Sequence, residues 1–576
     1  MKIRAILSLL CCMTSLAVYA QSEDNCQWPT HNSQLIKLHL SESKDCLQAL
    51  PSIATSTKLT HNSELHRVPP RREIRHKLKQ LTVNGQQPED NCQFSIVNSQ
   101  LSTRASGEYI MKEFPTMGEV RGLVLLVAYK DVAFCLPDDS IRTLLQARYD
   151  GNNYTEYIEH QGYSEVDGDS IAIRATIPGS ARDYFRDQSF GQFTPRFDVV
   201  GPITLDNPRA HYGANNSSGG DKNASAMVTE ACRKVYEQQL VDLSDYDGDG
   251  DGVVDFVYVV YAGSDEAQTS IEECVWAHAH TVSFTLGDMK IGRYACSGEL
   301  FVDLKGLPAG IGTFVHEFSH ILGLPDFYNT KADDFTMDVW SVMDYGMYNR
   351  GGFVPCAYTA FERYSLGWIP MHTLDTPTTM SIGTTDEEGK GYRIFTSDLE
   401  PNTLITEDDT ASFYLVETIR KEGWNRYAYA EGLLISEVTY EKSAWTSNKV
   451  NVGTHRHCIV PADNAYSYKT ANKHLFGTEN HEFTRNSTPA SVTQFGASMD
   501  KPLTDIRYDK ETGKTSFDFC GGEPENPEGP NDTTGIVHEG RVQGSISYIH
   551  YDLQGRPVKK PSKGIYIVDG KKVMIK

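Results

Sequence analysis

The chain has 576 residues, too many for one compact hydrophobic core, so several domains are expected. Its composition, 39% hydrophobic and 23% charged, is that of a globular protein and excludes a low-complexity or fibrous chain. A formal net charge of −22 argues against nucleic acid and anionic membrane surfaces as partners.

Residues 1–20, MKIRAILSLLCCMTSLAVYA, have a basic start, an apolar run and a small-residue end, so cleavage of a signal peptide after Ala20 is expected. The run is too short for a membrane anchor, and no later stretch could form a transmembrane span. Ten cysteines follow residue 20, too sparse for a disulfide scaffold. Cys274 and Cys296, on either side of an apparent hairpin, are the expected pair. Residues 21–114 are polar and weakly periodic. Within them DNCQ recurs at 24–27 and 90–93, and NSQL at 32–35 and 98–101. This is a local duplication, or a segment in which the Cys26 or Cys92 thiolate caps a metal.

VRGLVLLVAY (120–129) is an apolar run of strand length, as is VVDFVYVVYAG (253–263), while MVTEACRKVYEQQL (227–240) has helical periodicity. Residues 115–370 thus read as an α/β (α+β) domain that opens with a strand. Between 371 and 520 helical signals are scarce. Short runs such as ASFYLVETI (411–419) and GLLISEVTY (432–440), separated by turn residues, predict an all-β sandwich. GGEPENPEGPNDTTG (521–535) is a linker by composition, and 536–576 predicts a small β module. The expected fold class is therefore multidomain.

Residues 316–326 read HEFSHILGLPD. On a helix, positions i and i+4 share a face, so His316 and His320 can direct imidazole nitrogens at one ion. Glu317 is rotated by about 100° from His316 and can reach a water beside that ion. Catalytic zinc takes three protein ligands and keeps an open position. Gly323 can end the helix in a left-handed conformation and Pro325 forbids its continuation, which turns the chain back where Asp326 stands. The pattern H-E-x-x-H-x-x-G-x-x-D resembles that of the metzincins, with aspartate in place of a third histidine. The competing reading is a pair of satisfied core histidines. WSVMDYG (340–346) follows at the spacing of the methionine turn. That resemblance implies that Met343 floors the site and that Tyr345 stabilises an oxyanion.

DYDGDGDGVVD (245–255) places Asp247, Asp249, Asp251 and Asp255 in the frame D-x-D-x-D-G-x-x-D, in which alternate carboxylates converge on Ca2+. The glutamate of a complete EF-hand is missing, and a frame starting at Asp245 also alternates. A solvated acidic turn is the other reading.

GSARDYFRDQSFGQFTPRFDVVGPITL (179–205), YDGDGDGVVDFVYVVYAG (246–263), HEFSHILGLPDFYN (316–329) and WSVMDYG together resemble the secreted immune inhibitor A-type metalloproteases, over roughly 118–465. The resemblance implies a zinc endopeptidase acting on protein or peptide substrates and made as a zymogen. Residues 21–114 would be its propeptide, 115–370 a metzincin-like catalytic domain and 371–520 the sandwich. It also implies that His316 and His320 bind Zn2+ and that Glu317 is general base and acid. The third ligand is Asp326, or else Glu362 with Asp326 as a buttress. YDLQGRPVKKPSKGIYIVDGKKVMIK (551–576) resembles the C-terminal sorting domain of the type IX secretion system. It implies that this machinery is a partner, with export by the Sec pathway, passage across the outer membrane, and release or surface attachment. The competing function is a surface adhesin on a protease scaffold, but such relatives usually lose the base or a ligand, and here Glu317, both histidines and Tyr345 are present.

Overall fold

The structure, a computed structural model, describes residues 66–67, 114–163, 170–217, 219–301, 307–396 and 411–522, with the backbone of four strands between 550 and 575. The expectations for residues 1–20, Cys26, Cys92 and most of the linker lie outside the described residues. The chain divides into two compact units between Glu525 and Asn526.

The first unit opens with β1 (His66–Arg67) and β2 (Arg121–Ala128), followed by α1 (Asp138–Asp150) and a hairpin, β3 (Glu156–Tyr163) with β4 (Ser170–Ile177). Then come α2 (Ala181–Gln188), β5 (Arg196–Thr204), α3 (Ala224–Glu237), β6 (Val253–Val254), β7 (Val257–Ser264), β8 (His278–Leu286), β9 (Met289–Leu300) and α4 (Gly312–Ile321). Seven of these strands form one sheet in the order β1-β8-β9-β7-β2-β5, with β6 also on β9. β5, β2, β7 and β9 run parallel, whereas β8 and β1 are antiparallel additions at one edge.

The apolar run of β2 follows from its place in this sheet. Leu123, Leu125 and Val127 point to one face and pack with Met227, Val228, Ala231 and Val235 of α3. Val124 and Leu126 point to the other, where Phe314, Val315 and Phe318 of α4 lie. A central parallel strand covered on both faces needs hydrophobic residues at every position rather than at alternate ones. Phe318 anchors α4 by edge contacts to Phe185, Phe197 and Phe256. Each such burial is worth roughly 1.5–3 kcal/mol.

The α4 helix begins at glycine for a steric reason. A Cβ on Gly312 would overlap the Met347 carbonyl oxygen and crowd the Gly352 backbone. Gly312→Ala is therefore expected to lower stability by about 2–4 kcal/mol. Urea unfolding checks this, and an unchanged midpoint would mean that the 345–352 segment yields freely.

The run expected at 253–263 is broken. Asp255 donates its N–H to the Tyr246 carbonyl and its carboxylate turns back to Gly248, so β6 and β7 meet β9 separately. The expected Cys274–Cys296 disulfide is not formed, and both thiols are free and buried. The β8–β9 hairpin exists, but its register sets His278 opposite Cys296 and leaves Cys274 outside the ladder. Among the described residues no helix is long and apolar enough to cross a membrane.

After α5 (Ala360–Ser365) the chain is mostly β: β10 (Met371–Thr373), β11 (Thr378–Ile382), β12 (Gly391–Phe395), β13 (Ala411–Ile419), β14 (Gly432–Tyr440), β15 (His457–Ile459), β16 (Leu503–Asp509) and β17 (Lys514–Phe519). A five-stranded sheet, β10-β12-β13-β14-β15, and a three-stranded one, β11-β17-β16, share one core through Ile394, Val416, Ile435, Leu503 and Phe517. Alternate residues of the larger sheet, among them Phe413, Leu415, Leu434 and Val438, join the core containing α4. With both faces covered, every residue of β14 is buried. In the second unit β18 (His550–Tyr551), β19 (Pro557–Val558), β20 (Gly564–Val568) and β21 (Lys571–Ile575) form an antiparallel sheet in the order β19-β18-β20-β21.

Candidate metal centre

Every residue of α4 is buried, and its end is built by the turn that the sequence encodes. Gly323 has φ +104°, its N–H bonds the His320 carbonyl, and the Leu324 N–H bonds the Ser319 carbonyl. This double closure is a Schellman motif, which glycine permits without strain. The turn also returns the Leu324 carbonyl to within 2.7 Å of His320 Nδ1.

His316 Nδ1 lies 2.8 Å from the Val342 carbonyl. Both carbonyls can only accept, so each histidine carries its proton on Nδ1, and in a neutral ring Nε2 is left with a lone pair. The two Nε2 atoms stand 3.1 Å apart, and Asp326 Oδ1 is 3.3 Å and 3.2 Å from them. Three lone-pair atoms in a buried triangle repel unless a cation lies among them. Ligands of a tetrahedral zinc at ~2.0 Å are about 3.3 Å apart, the size of this triangle. Burial holds the His316 imidazole below its ordinary pKa and so favours its neutral form. The donor set thus suits zinc.

The turn that contains Met343 supports this triangle through its backbone. Val342 supplies the carbonyl for His316, and the Met343 carbonyl accepts the Phe327 N–H, next to Asp326. Met343 is fully buried, and its own N–H bonds Ser341 Oγ. Ser341 donates in turn to Glu362, whose other oxygen accepts from the N–H and hydroxyl of Thr359. Glu362 is therefore the N-terminal capping acid of α5 and a brace for the turn, with both oxygens engaged away from the triangle. Glu317 is fully buried on α4 between the two histidines. Tyr345 is buried at the start of a short 3-10 turn and touches Tyr348.

Sequence spacing gave no sign of two further residues. Asn448, from the loop before β15, donates Nδ2–H to Asp326 Oδ2 at 2.6 Å and accepts the Asp326 N–H at 2.7 Å. Asn451 donates to the carbonyls of Phe327 and His457 and accepts the N–H groups of Arg456 and His457. These partners lie more than 120 residues from Asp326 and Phe327 in the chain. The one local signal is an asparagine-rich turn, TSNKVNVG, suited to the left-handed φ of +53° at Asn448.

In the acidic loop, carboxylate oxygens of Asp247, Asp249 and Asp251 lie within 4.8 Å of one another. Asp247 accepts from the N–H groups of Gly250, Asp251 and Gly252, and the two glycines adopt positive φ. Asp255 is not in this group, since one of its oxygens braces Gly248. Asp245 is displaced from the loop into a 3-10 turn, 3.3 Å from Arg121.

Residues 114–369 match the family model described as the immune inhibitor A peptidase M6 catalytic domain. The chain is 25% identical over 278 residues to the Pre-pro-metalloprotease PrtV of Vibrio cholerae, covering 42% of this chain and 29% of that protein. It is 26% identical over 264 residues to Immune inhibitor A of Bacillus thuringiensis, covering 40% of this chain and 37% of that one. The chain thus spans about a third of the length of these curated relatives.

Proposed function

We propose that this chain is a secreted zinc metalloendopeptidase that hydrolyses peptide bonds of extracellular proteins. The observation that carries the reading is the buried His316–His320–Asp326 triangle, sized for a tetrahedral ion and oriented by backbone carbonyls. The peptidase M6 match over 114–369 supports the same chemistry. Zinc held by these three residues would supply Lewis acidity that polarises a substrate carbonyl and acidifies a water. Glu317 takes the proton of that water as its oxygen attacks the carbonyl carbon, then passes it to the amine as the C–N bond breaks. Tyr345 donates to the oxyanion.

The zymogen reading draws support from β1. His66–Arg67 pairs antiparallel with β8 at the sheet edge, where an extended segment from 21–114 can occupy a peptide-pairing position. Residues 371–520 then serve as a sandwich domain packed against the catalytic region. Residues 1–20 direct export, and 536–576 serve as the sorting module for the type IX machinery and the outer membrane.

The test is the full-length secreted protein after propeptide removal. It should carry one zinc per chain and cleave casein, lose both to a strong chelator, and regain activity with zinc. His320→Ala should abolish zinc retention. A folded, zinc-loaded protein that cleaves no protein substrate would favour the adhesin reading.

The loop at 247–255 is read as a structural calcium site, with Asp247, Asp249 and Asp251 as carboxylate ligands and Asp255 bracing the loop. Saturating calcium at 100 times its Kd would stabilise the fold by about 2.7 kcal/mol. A higher Tm in calcium than in a calcium-selective chelator is expected, and Asp249→Asn should reduce the difference. Equal Tm values in both would leave a solvated turn.

A further inference from the structure

We infer that Asn448 is a positioning residue for the metal centre, so that the β region after 371 completes the site carried by the region before it. This rests on the reading of His316, His320 and Asp326 as the zinc ligands.

The two-point contact carries the inference. A carboxylate ligand has two oxygens and can swing about its Cβ–Cγ bond. Asp326 presents Oδ1 to both histidines, while Asn448 Nδ2 holds Oδ2 at 2.6 Å. The same amide takes the Asp326 backbone N–H at 2.7 Å. One side chain therefore fixes both the backbone and the rotation of the ligand. Asn448 is itself constrained, at φ +53° in a loop pinned by the four hydrogen bonds of Asn451. The histidines receive their orienting acceptors from nearby chain, Leu324 and Val342, whereas Asp326 takes its orienting donor from across the protein. Loss of an outer partner of a metal ligand typically lowers metal affinity 10- to 100-fold.

The test uses the full chain and zinc alone as probe. Zinc affinity is measured by competition with a chromophoric chelator for wild type, Asn448→Gly, Asn448→Asp, Asp326→Ala and the double variant Asp326→Ala/Asn448→Gly. Glycine removes the amide yet suits the positive φ, so its effect reports the side chain and not backbone strain. Aspartate keeps the shape, loses the donor, and serves if the glycine variant fails to fold. Asn448→Gly and Asn448→Asp should each weaken zinc about 10- to 100-fold. In the Asp326→Ala background Asn448→Gly should add almost nothing, because its effect runs through that carboxylate. Unchanged affinity in both Asn448 variants, or losses that add in the double variant, would overturn the inference. Failure of the zinc reading looks different: wild type would then bind no stoichiometric zinc, or His316→Ala would leave binding intact.

Discussion

Glu317→Gln is expected to lower kcat for peptide hydrolysis by about 100- to 10,000-fold while one zinc per chain remains bound. Glutamine matches the shape of the buried glutamate, so the packing of α4 is kept, and the three atoms of the triangle come from other residues. On the proposed reading, what disappears is the ability to accept a proton from water and return it to the leaving amine. Zinc content by atomic absorption and turnover of casein separate the two roles. If the variant keeps its turnover, the base is another residue. If it loses zinc, Glu317 supports the metal and its part in proton transfer is not what the measurement reports.

Local sequence makes some of this architecture legible and leaves the rest hidden, for identifiable reasons. The strands at 411–419 and 432–440 match the observed elements residue for residue, because each is an apolar run bounded by turn formers. The helix, its glycine exit and the return of Asp326 are encoded within eleven residues, so spacing alone reaches the triangle. Asn448 lies 122 residues away, and only packing of the β region against α4 brings it there. The Cys274–Cys296 pairing fails for a related reason. Proximity in sequence suggests a bridge, but strand register decides which side chains face each other, and it chose His278. Glu362 is a capping acid in its own sequence, T-x-x-E at the start of a helix, and that local role predicts its position better than metal chemistry does.

A second large effect is expected far from the chemistry, at Arg148. This fully buried guanidinium bonds both oxygens of Glu156, at 2.9 Å and 2.7 Å, and the carbonyls of Pro308 and Ala309 just ahead of α4. It thereby ties α1, β3 and the entry to the histidine helix at one point. Arg148→Met keeps much of the volume but strands a buried carboxylate and two carbonyls, a loss of about 3–5 kcal/mol. The double variant Arg148→Met/Glu156→Leu should recover part of this, since no charge is then left unpaired. The pH dependence has a definite sign. Burial alone would raise the Glu156 pKa, but Arg148 outweighs it and the folded value lies below the ordinary 4.5. The stability from this pair is therefore fully present above about pH 4.5 and is lost as pH falls through the depressed folded value. In Arg148→Met only the Tyr154 hydroxyl, 2.7 Å from Glu156 Oε2, still opposes burial, so that carboxyl shifts toward its neutral form and the variant loses stability as pH rises. Urea midpoints should consequently differ most near neutrality and converge in acid. A gap that stays constant with pH would mean that packing of the arginine stem, and not its charge, holds α4 in place.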